Sequence, residues 1–257
     1  MSTVELAFER FGENDGCPLI ILHGFLAAAR NWRTVAKQLA QQRTVYVLDM
    51  RNHGNSPHHT QMDYPTMADD VLAFMNQHDL PQAHLLGHSM GGKAAMCFAL
   101  QHAQRVKQLV VVDIAPVSYS HSFDGLVLAL KQLPLAELGN RKQAEQLLAD
   151  AIPDLSFRQF LLQNLLLQDG VYYWRINLDI IQQTAANIVG FPPLSVAEYA
   201  QKALFVAGEH SNYINADAVQ KWFPQAQISE IANTGHWLYV EAPQRFCELV
   251  NAWLSQP

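Results

Sequence analysis

The sequence predicts an α/β fold in which a mostly parallel central sheet is flanked by helices and interrupted, late in the chain, by a helical insertion. Three observations carry that reading. Four short apolar runs, Leu19 to Leu22, Thr44 to Leu48, Ala83 to Leu86 and Leu109 to Val112, are each bounded by polar residues or glycine, as strands buried on both faces are. Segments of helical period lie between them, such as Trp32 to Gln41 and Met67 to His78, with lengths that suit right-handed crossover connections. The rhythm breaks after Pro116 and returns with Ala203 to Ala207, Gln227 to Ile231 and a terminal helix from Ala242 to Leu254.

The first element is expected at Val4, Leu6 and Phe8, which alternate with Glu5, Ala7 and Glu9 in the period of a half-exposed strand. Turn chemistry from Gly12 to Gly16 then suggests an edge hairpin. Residues 117–194 contain leucine-rich segments of helical period and no evident parallel strand, so they read as a helical cap set between core segments 1–116 and 195–257. Within that cap, Phe157, Phe160, Leu161, Asn164, Leu165 and Gln168 form one stripe, Asp169-Gly170 marks a stop, and Val171 to Ile176 alternates like a strand.

Composition narrows the function classes. Over 257 residues, 49% are hydrophobic and 16% charged, which describes a chain with a large buried core. A formal charge of −6 opposes nucleic acid or an anionic membrane as partner, because both require a basic surface. A small molecule fits better. The first twelve residues lack the basic and apolar regions of an export signal, and no later stretch has the roughly 18 apolar residues of a membrane span. Cys17, Cys97 and Cys247 are odd in number and scattered, matching neither a disulfide framework nor a zinc site, so a reducing cytoplasm is the expected setting. Oligomeric state is not encoded in any of these patterns.

The chemistry is read from Gly87-His88-Ser89-Met90-Gly91-Gly92, a G-x-S-x-G pattern placed after the Ala83 to Leu86 strand and before a helical pattern over Ala94 to Gln101. A serine on so tight a turn takes strained backbone angles, and its neighbours two residues away on either side must lack bulk for the turn to close. Gly87 and Gly91 meet that need. The backbone N–H of Met90 then stands at a helix N-terminus, placed to stabilise an oxyanion. His23-Gly24 closes the Leu19 to Leu22 strand, and the following N–H, that of Phe25, is the candidate second donor.

A serine hydroxyl needs a general base at neutral pH. Among eleven histidines, His236 is the candidate, because Asn233-Thr234-Gly235-His236-Trp237 follows the last strand at the sheet edge where the serine emerges. The orienting carboxylate is harder to find. The loop after the penultimate strand reads Gly208-Glu209-His210-Ser211-Asn212-Tyr213, with Ser211 where an aspartate is expected. Asp113, at the end of the Leu109 to Val112 strand, is the choice, with Glu209 a weaker candidate and a turn-capping role the structural alternative.

With these residues in view, the chain resembles bacterial α/β-hydrolase esterases of the YbfF type. The shared motifs are His23-Gly24, Asp49-Met50-Arg51-Asn52-His53-Gly54-Asn55-Ser56, Gly87 to Lys93, Asp113-Ile114-Ala115-Pro116, Trp174-Arg175-Ile176-Asn177 and Gly235-His236-Trp237, which span most of the sequence. The resemblance implies the α/β-hydrolase fold with a helical cap, hydrolysis of carboxylic esters or acyl thioesters of the acyl-CoA type, and Ser89, His236 and Asp113 as nucleophile, base and acid. A serine near Ser211 also fits the family, as an auxiliary to the acid. Such chemistry needs no metal or organic cofactor. Phe25, Leu26, Trp174 and Trp237 lie near loops expected to face the site, so Leu26, Trp174 and Trp237 are candidate pocket residues. Arg30, Arg51, Lys93 and Arg175 are cations able to attract an anionic thioester, although ordinary surface or structural roles compete.

Rival readings stay open at this point. Gly87-x-x-x-x-Gly92-Lys93 approaches the P-loop of nucleotide-binding proteins but has Ala94 where a magnesium-binding Ser or Thr is required. A ligand-binding protein on the same fold, or a cofactor-free lyase or carbon–carbon hydrolase, would keep the same residues. His53, His58 and His59 match no standard metal-ligand spacing and read as loop histidines.

Overall fold

The structure is a computed structural model that describes residues 3–256. Strand β1 (Phe8–Phe11) pairs antiparallel with β3 (Val45–Leu48), and β2 (Leu19–Leu22) lies on the other side of β3, parallel to it. The expected opening hairpin is therefore absent from the described residues, because β3 separates its two arms. The strand also begins later than the alternation from Val4 suggests. Val4 N–H donates to Asp70 and Ala7 N–H to Ser56, with one backbone bond from Asp49 N–H to the Ala7 carbonyl at 2.8 Å, so side chains hold most of that segment.

Helix α1 (Arg33–Leu39) connects β2 to β3, and α2 (Tyr64–Gln77) connects β3 to β4 (Ala83–His88). The start of α2 is set by Asp63, whose carboxylate accepts the Thr66 N–H at 2.9 Å, with proline early in the first turn. Helix α3 (Met90–Gln101) follows β4 directly and leads to β5 (Val106–Val112). With the later strands β8 (Ala203–Gly208) and β9 (Ala226–Ile231), the sheet has the order β1-β3-β2-β4-β5-β8-β9, with every pair parallel except β1 with β3.

Alternation along buried strands splits the core in two. Ile20, Leu22, Leu85 and Val111 face a cluster with α2 and α3, while Leu19, Ile21, Leu86 and Val110 face α1 and the C-terminal helices. Because β2 sends its chain to β3 on one side while β4 lies on the other, the strand order reverses there, opening a crevice at the carboxyl edge.

After β5 come α4 (Asp124–Lys131), α5 (Arg141–Leu147) and α6 (Leu155–Leu161). The apolar stripe expected to continue as helix to Gln168 ends at Leu161. A 3₁₀ turn over Leu162–Asn164 leads into β6 (Leu165–Gln168), which pairs antiparallel with β7 (Val171–Trp174). Asp169 and Gly170 both have positive φ, 50° and 82°, the requirement of a type I′ hairpin turn, so the dipeptide reverses the chain instead of stopping a helix. Helix α7 (Leu178–Val189), capped by Asn177 and packed on α4, returns the chain toward β8 (Ala203–Gly208). Helix α8 (Ala216–Trp222), β9 (Ala226–Ile231), α9 (Leu238–Glu241) and α10 (Pro243–Leu254) complete the fold. Among the described residues no helix is long and apolar enough to cross a membrane.

Candidate active site

Ser89 occupies the turn between β4 and α3 with φ 53° and ψ −117°, outside the regions that side chains favour. Close packing explains its neighbours. A Cβ on Gly87 would overlap the Gly91 carbonyl, and one on Gly91 would overlap the carbonyl of Leu22 on the adjacent strand. The bend is fixed further by the Ser89 N–H, which donates to Val112 at 3.0 Å. Met90 is the first residue of α3, so its N–H belongs to the positive end of the helix dipole.

Opposite this bend runs the loop after β2. Gly24 approaches the elbow so closely that an added Cβ would lie 2.8 Å from His88 Nδ1. Leu26 has φ 58°, and its N–H donates to His53 Nε2 at 3.1 Å, while the Ala29 N–H donates to Asp49 at 2.6 Å. The Phe25 N–H has no acceptor among the described residues, as a group kept for a ligand would.

The candidate acid and base meet from strands that are not neighbours in sequence. Asp113, fully buried with φ 50° at the end of β5, accepts the His236 Nδ1–H at 2.7 Å. The same carboxylate accepts the Gly208 N–H at 3.1 Å and the Ser211 hydroxyl, so three donors converge on a buried charge that would otherwise be costly. Glu209 is engaged elsewhere, accepting the Asn233 N–H at 2.6 Å. With Nδ1 occupied, Nε2 is the imidazole nitrogen left for a proton from Ser89. Tyr213 packs its ring 4.4 Å from the His236 ring and is itself anchored by its carbonyl, which accepts the Tyr119 hydroxyl at 2.6 Å.

Ser89, Met90, Phe25 and His236 line one cavity of about 490 Å³, within the usual size of a small-molecule site. Its remaining wall is mainly apolar and comes largely from residues 117–194, including Phe123, Leu126, Phe157 and Phe160. Leu26 and Trp237 also line it. Trp174 does not. It belongs to β7, and its indole N–H is turned to the Leu130 carbonyl at 3.2 Å, which makes it a packing residue of the insertion. Of the four cations considered for an anionic substrate, Lys93 alone lines this cavity among the described residues. Arg51 is buried in a two-bond pair with Asp70, Arg30 donates to the Gln163 carbonyl, and Arg175 donates to Asn164.

Three buried groups here escape pattern reading. His88 donates from Nε2 to the His236 carbonyl at 2.8 Å, and burial, reinforced by the nearby His236, holds it far below the usual imidazole range. It stays neutral and pins the backbone of His236. His53 is likewise pushed down to about 3, by burial first and by His23 next, which keeps Nε2 free to accept from Leu26. Lys93, drawn down to about 7 by burial, donates to the Val189 and Gly190 carbonyls at the end of α7, at 2.8 and 2.6 Å. A lone histidine or lysine has no spacing rule to reveal such work, although each lies inside or beside a motif.

Comparison with known proteins bears on the fold and the family. The family model described as alpha/beta hydrolase fold matches residues 18–243. The sn-1-specific diacylglycerol lipase ABHD11 of Danio rerio is 37% identical over 99% of this chain and 84% of its own length. Esterase YbfF of Escherichia coli is 30% identical over 95% of both chains. Among solved structures, one titled Marine microorganism esterase superposes with a TM-score of 0.93 at 37% identity, covering 97% of this chain and 99% of the other. A thioesterase domain from the curacin biosynthetic pathway, at 20% identity and a TM-score of 0.68, shares the fold. With the match running almost end to end, the chain belongs to the α/β hydrolase fold family.

Proposed function

We propose that this protein is a serine hydrolase that cleaves carboxylic esters through an acyl-enzyme on Ser89. Ser89 Oγ attacks the acyl carbonyl while His236 Nε2 takes its proton, and the oxyanion so formed accepts from the N–H groups of Phe25 and Met90. Collapse of this intermediate breaks the bond to the leaving group, which leaves with the proton held by His236. Water, deprotonated by the same imidazole, then releases the acid and restores Ser89. Asp113 orients the imidazole and stabilises its charged form, and Ser211, bonded to the same carboxylate, assists by fixing that carboxylate.

The observation that carries the reading is the 2.7 Å bond from His236 to buried Asp113, at a cavity that also exposes a strained Ser89. Residues 117–194 act as a cap over core segments 1–116 and 195–257, and their apolar side chains form the acyl pocket. Thioesters fall within the same chemistry, since the leaving thiolate needs no more assistance than an alkoxide. The reading of a reducing, cytoplasmic setting is supported by three unpaired cysteines, two of them buried. Ser89→Ala is expected to abolish p-nitrophenyl ester cleavage, by roughly five orders of magnitude or more, together with fluorophosphonate labelling, while leaving the thermal unfolding midpoint in place. Labelling that survives the substitution overturns the nucleophile.

A further inference from the structure

We infer that Asn164, a residue of the insertion, is a positioning residue of the oxyanion hole, acting through Leu26 on the Phe25 N–H. The inference rests on the proposed reading of Ser89 and Phe25 and adds to it a group far away in the chain.

Asn164 closes the 3₁₀ turn before β6 and is only 2% exposed. Its amide is oriented by its partners. Arg175 Nη2 donates to Oδ1 at 3.2 Å, and since a guanidinium can only donate, the opposite end of the amide must be the NH₂ group. That Nδ2 donates to the carbonyl of Leu26 at 2.7 Å, across 138 residues of sequence. The anchor is itself held, because Arg175 N–H donates to the Asn164 carbonyl at 2.9 Å and His58 donates to the Arg175 carbonyl at 2.9 Å.

Leu26 is consequently clamped at both ends, its N–H on His53 and its C=O on Asn164. It needs such a clamp. With φ 58° it holds a left-handed conformation that a branched side chain avoids, so the loop would relax toward ordinary angles if one anchor were removed. Phe25, the residue immediately before it, would then lose the direction of its N–H. The other anchors of this loop, His53, Asp49 and Asn31, all come from residues 31–53. From residues 117–194, Gln163 bonds only the side chains of Arg30 and Asn31, whereas Asn164 bonds the backbone of the loop next to Phe25, so that segment shapes the charge-stabilising part of the site as well as the acyl pocket.

A misdirected oxyanion donor weakens the transition state far more than the bound ester, so the loss falls on kcat and spares KM. Asn164→Ala is expected to lower kcat roughly ten- to a hundredfold, below the roughly hundred- to thousandfold loss when a donor is deleted outright, with KM changed by less than about twofold. Asn164→Asp keeps the size and the Arg175 partner but presents an acceptor to the Leu26 carbonyl, and is expected to lose about as much. The specific readout is the rate ratio between an oxyester and its thionoester, which should shrink in both variants, because sulfur gains less from N–H donors than oxygen does.

Asn164→Asp with wild-type kcat, a change confined to KM, or an unaltered oxygen-to-sulfur ratio would overturn the inference. If Asn164→Ala does not fold, the isosteric aspartate variant carries the test. Labelling and rapid-mixing kinetics separate the two levels of argument. Fluorophosphonate labelling that survives Ser89→Ala defeats the Ser89 reading, whereas equal single-turnover acylation rates in wild type and both Asn164 variants defeat the role of Asn164 alone.

Discussion

The carboxyl edge of the sheet and residues 117–194, the insertion proposed as its cap, meet at the same cavity but are built by different rules. At the sheet edge each group proposed for the chemistry follows a strand end and is tied down by hydrogen bonds: Ser89 and Asp113 to the backbone of Val112, Val206 and Gly208, and the His236 carbonyl to the His88 side chain. Left-handed angles at Leu26, Ser89 and Asp113 show that this edge holds costly conformations, which the parallel strands beneath can support. The insertion contributes mostly apolar wall, and exposed Leu128, Leu147, Leu155 and Leu167 mark it as the less completely buried half. Chemistry demands fixed angles, whereas accommodating an acyl chain demands shape and tolerance. Substitutions at the edge should therefore change turnover, and substitutions in the insertion should change selectivity, with Asn164 as the exception that reaches across.

The sharpest way to break that contrast is to weaken the charge beneath His236. Asp113→Asn should cost about four orders of magnitude in kcat, because a neutral amide neither stabilises imidazolium nor enforces the needed tautomer. Ser211→Ala removes one of three donors to that carboxylate and should cost about tenfold or less. Comparable losses in the two variants, measured on one ester under saturating conditions, would mean that Ser211 shares the role assigned to Asp113.

How legible this edge was follows from the same contrast. The serine and the acid each follow a buried strand and the histidine follows the edge strand β9, and the glycines flanking Ser89 are dictated by contacts with Gly91 and Leu22 that no other residue permits. Rules of that kind leave marks in sequence. The insertion leaves fewer. Leu165 to Leu167 fits a helix or a strand equally well, and the strand wins because Asp169-Gly170 can form a two-residue reversal. The segment around Val4 alternates like a strand but is held by Asp70 and Ser56, partners no local pattern announces. Asn164 was visible as one member of a stripe, yet its meaning depends on a loop 138 residues earlier.

A second prediction concerns acid. His53 supports the edge only while neutral, and burial holds it down to about 3. Between pH 6.5 and about 3 the unfolded chain binds a proton at this imidazole that the folded chain refuses, so stability is complete above 6.5 and falls as pH drops through that window. The slope from one such group is at most about 1.4 kcal/mol per pH unit. Buried His84, lowered to about 4, adds to it. His53→Gln, with an amide oxygen available to Leu26, should flatten the dependence of unfolding free energy on pH between 4 and 6.5. Parallel curves for the two proteins would show that His53 is not the group responsible. Residues 117–194 contain a single histidine, exposed His121, and contribute little to this acid limb.

The smallest effects compare two aromatic residues of the insertion. Phe160 lines the cavity and stacks with Phe157 at a centroid distance of 6.1 Å, whereas Trp174 turns its indole to Leu130. Phe160→Ala opens the wall, and a pocket that loses contact with an acyl chain loses on the order of 1–3 kcal/mol of discrimination. KM for medium-chain esters should rise several-fold to roughly a hundredfold, with kcat on an acetyl ester nearly unchanged. Trp174→Phe keeps an aromatic ring and removes one hydrogen bond, so it should lower stability by about 1 kcal/mol and leave the chain-length profile where it was. If Trp174→Phe shifts that profile as Phe160→Ala does, the indole reaches bound substrate after all. Insertion residues would then move during catalysis, and a fixed wall could no longer account for selectivity.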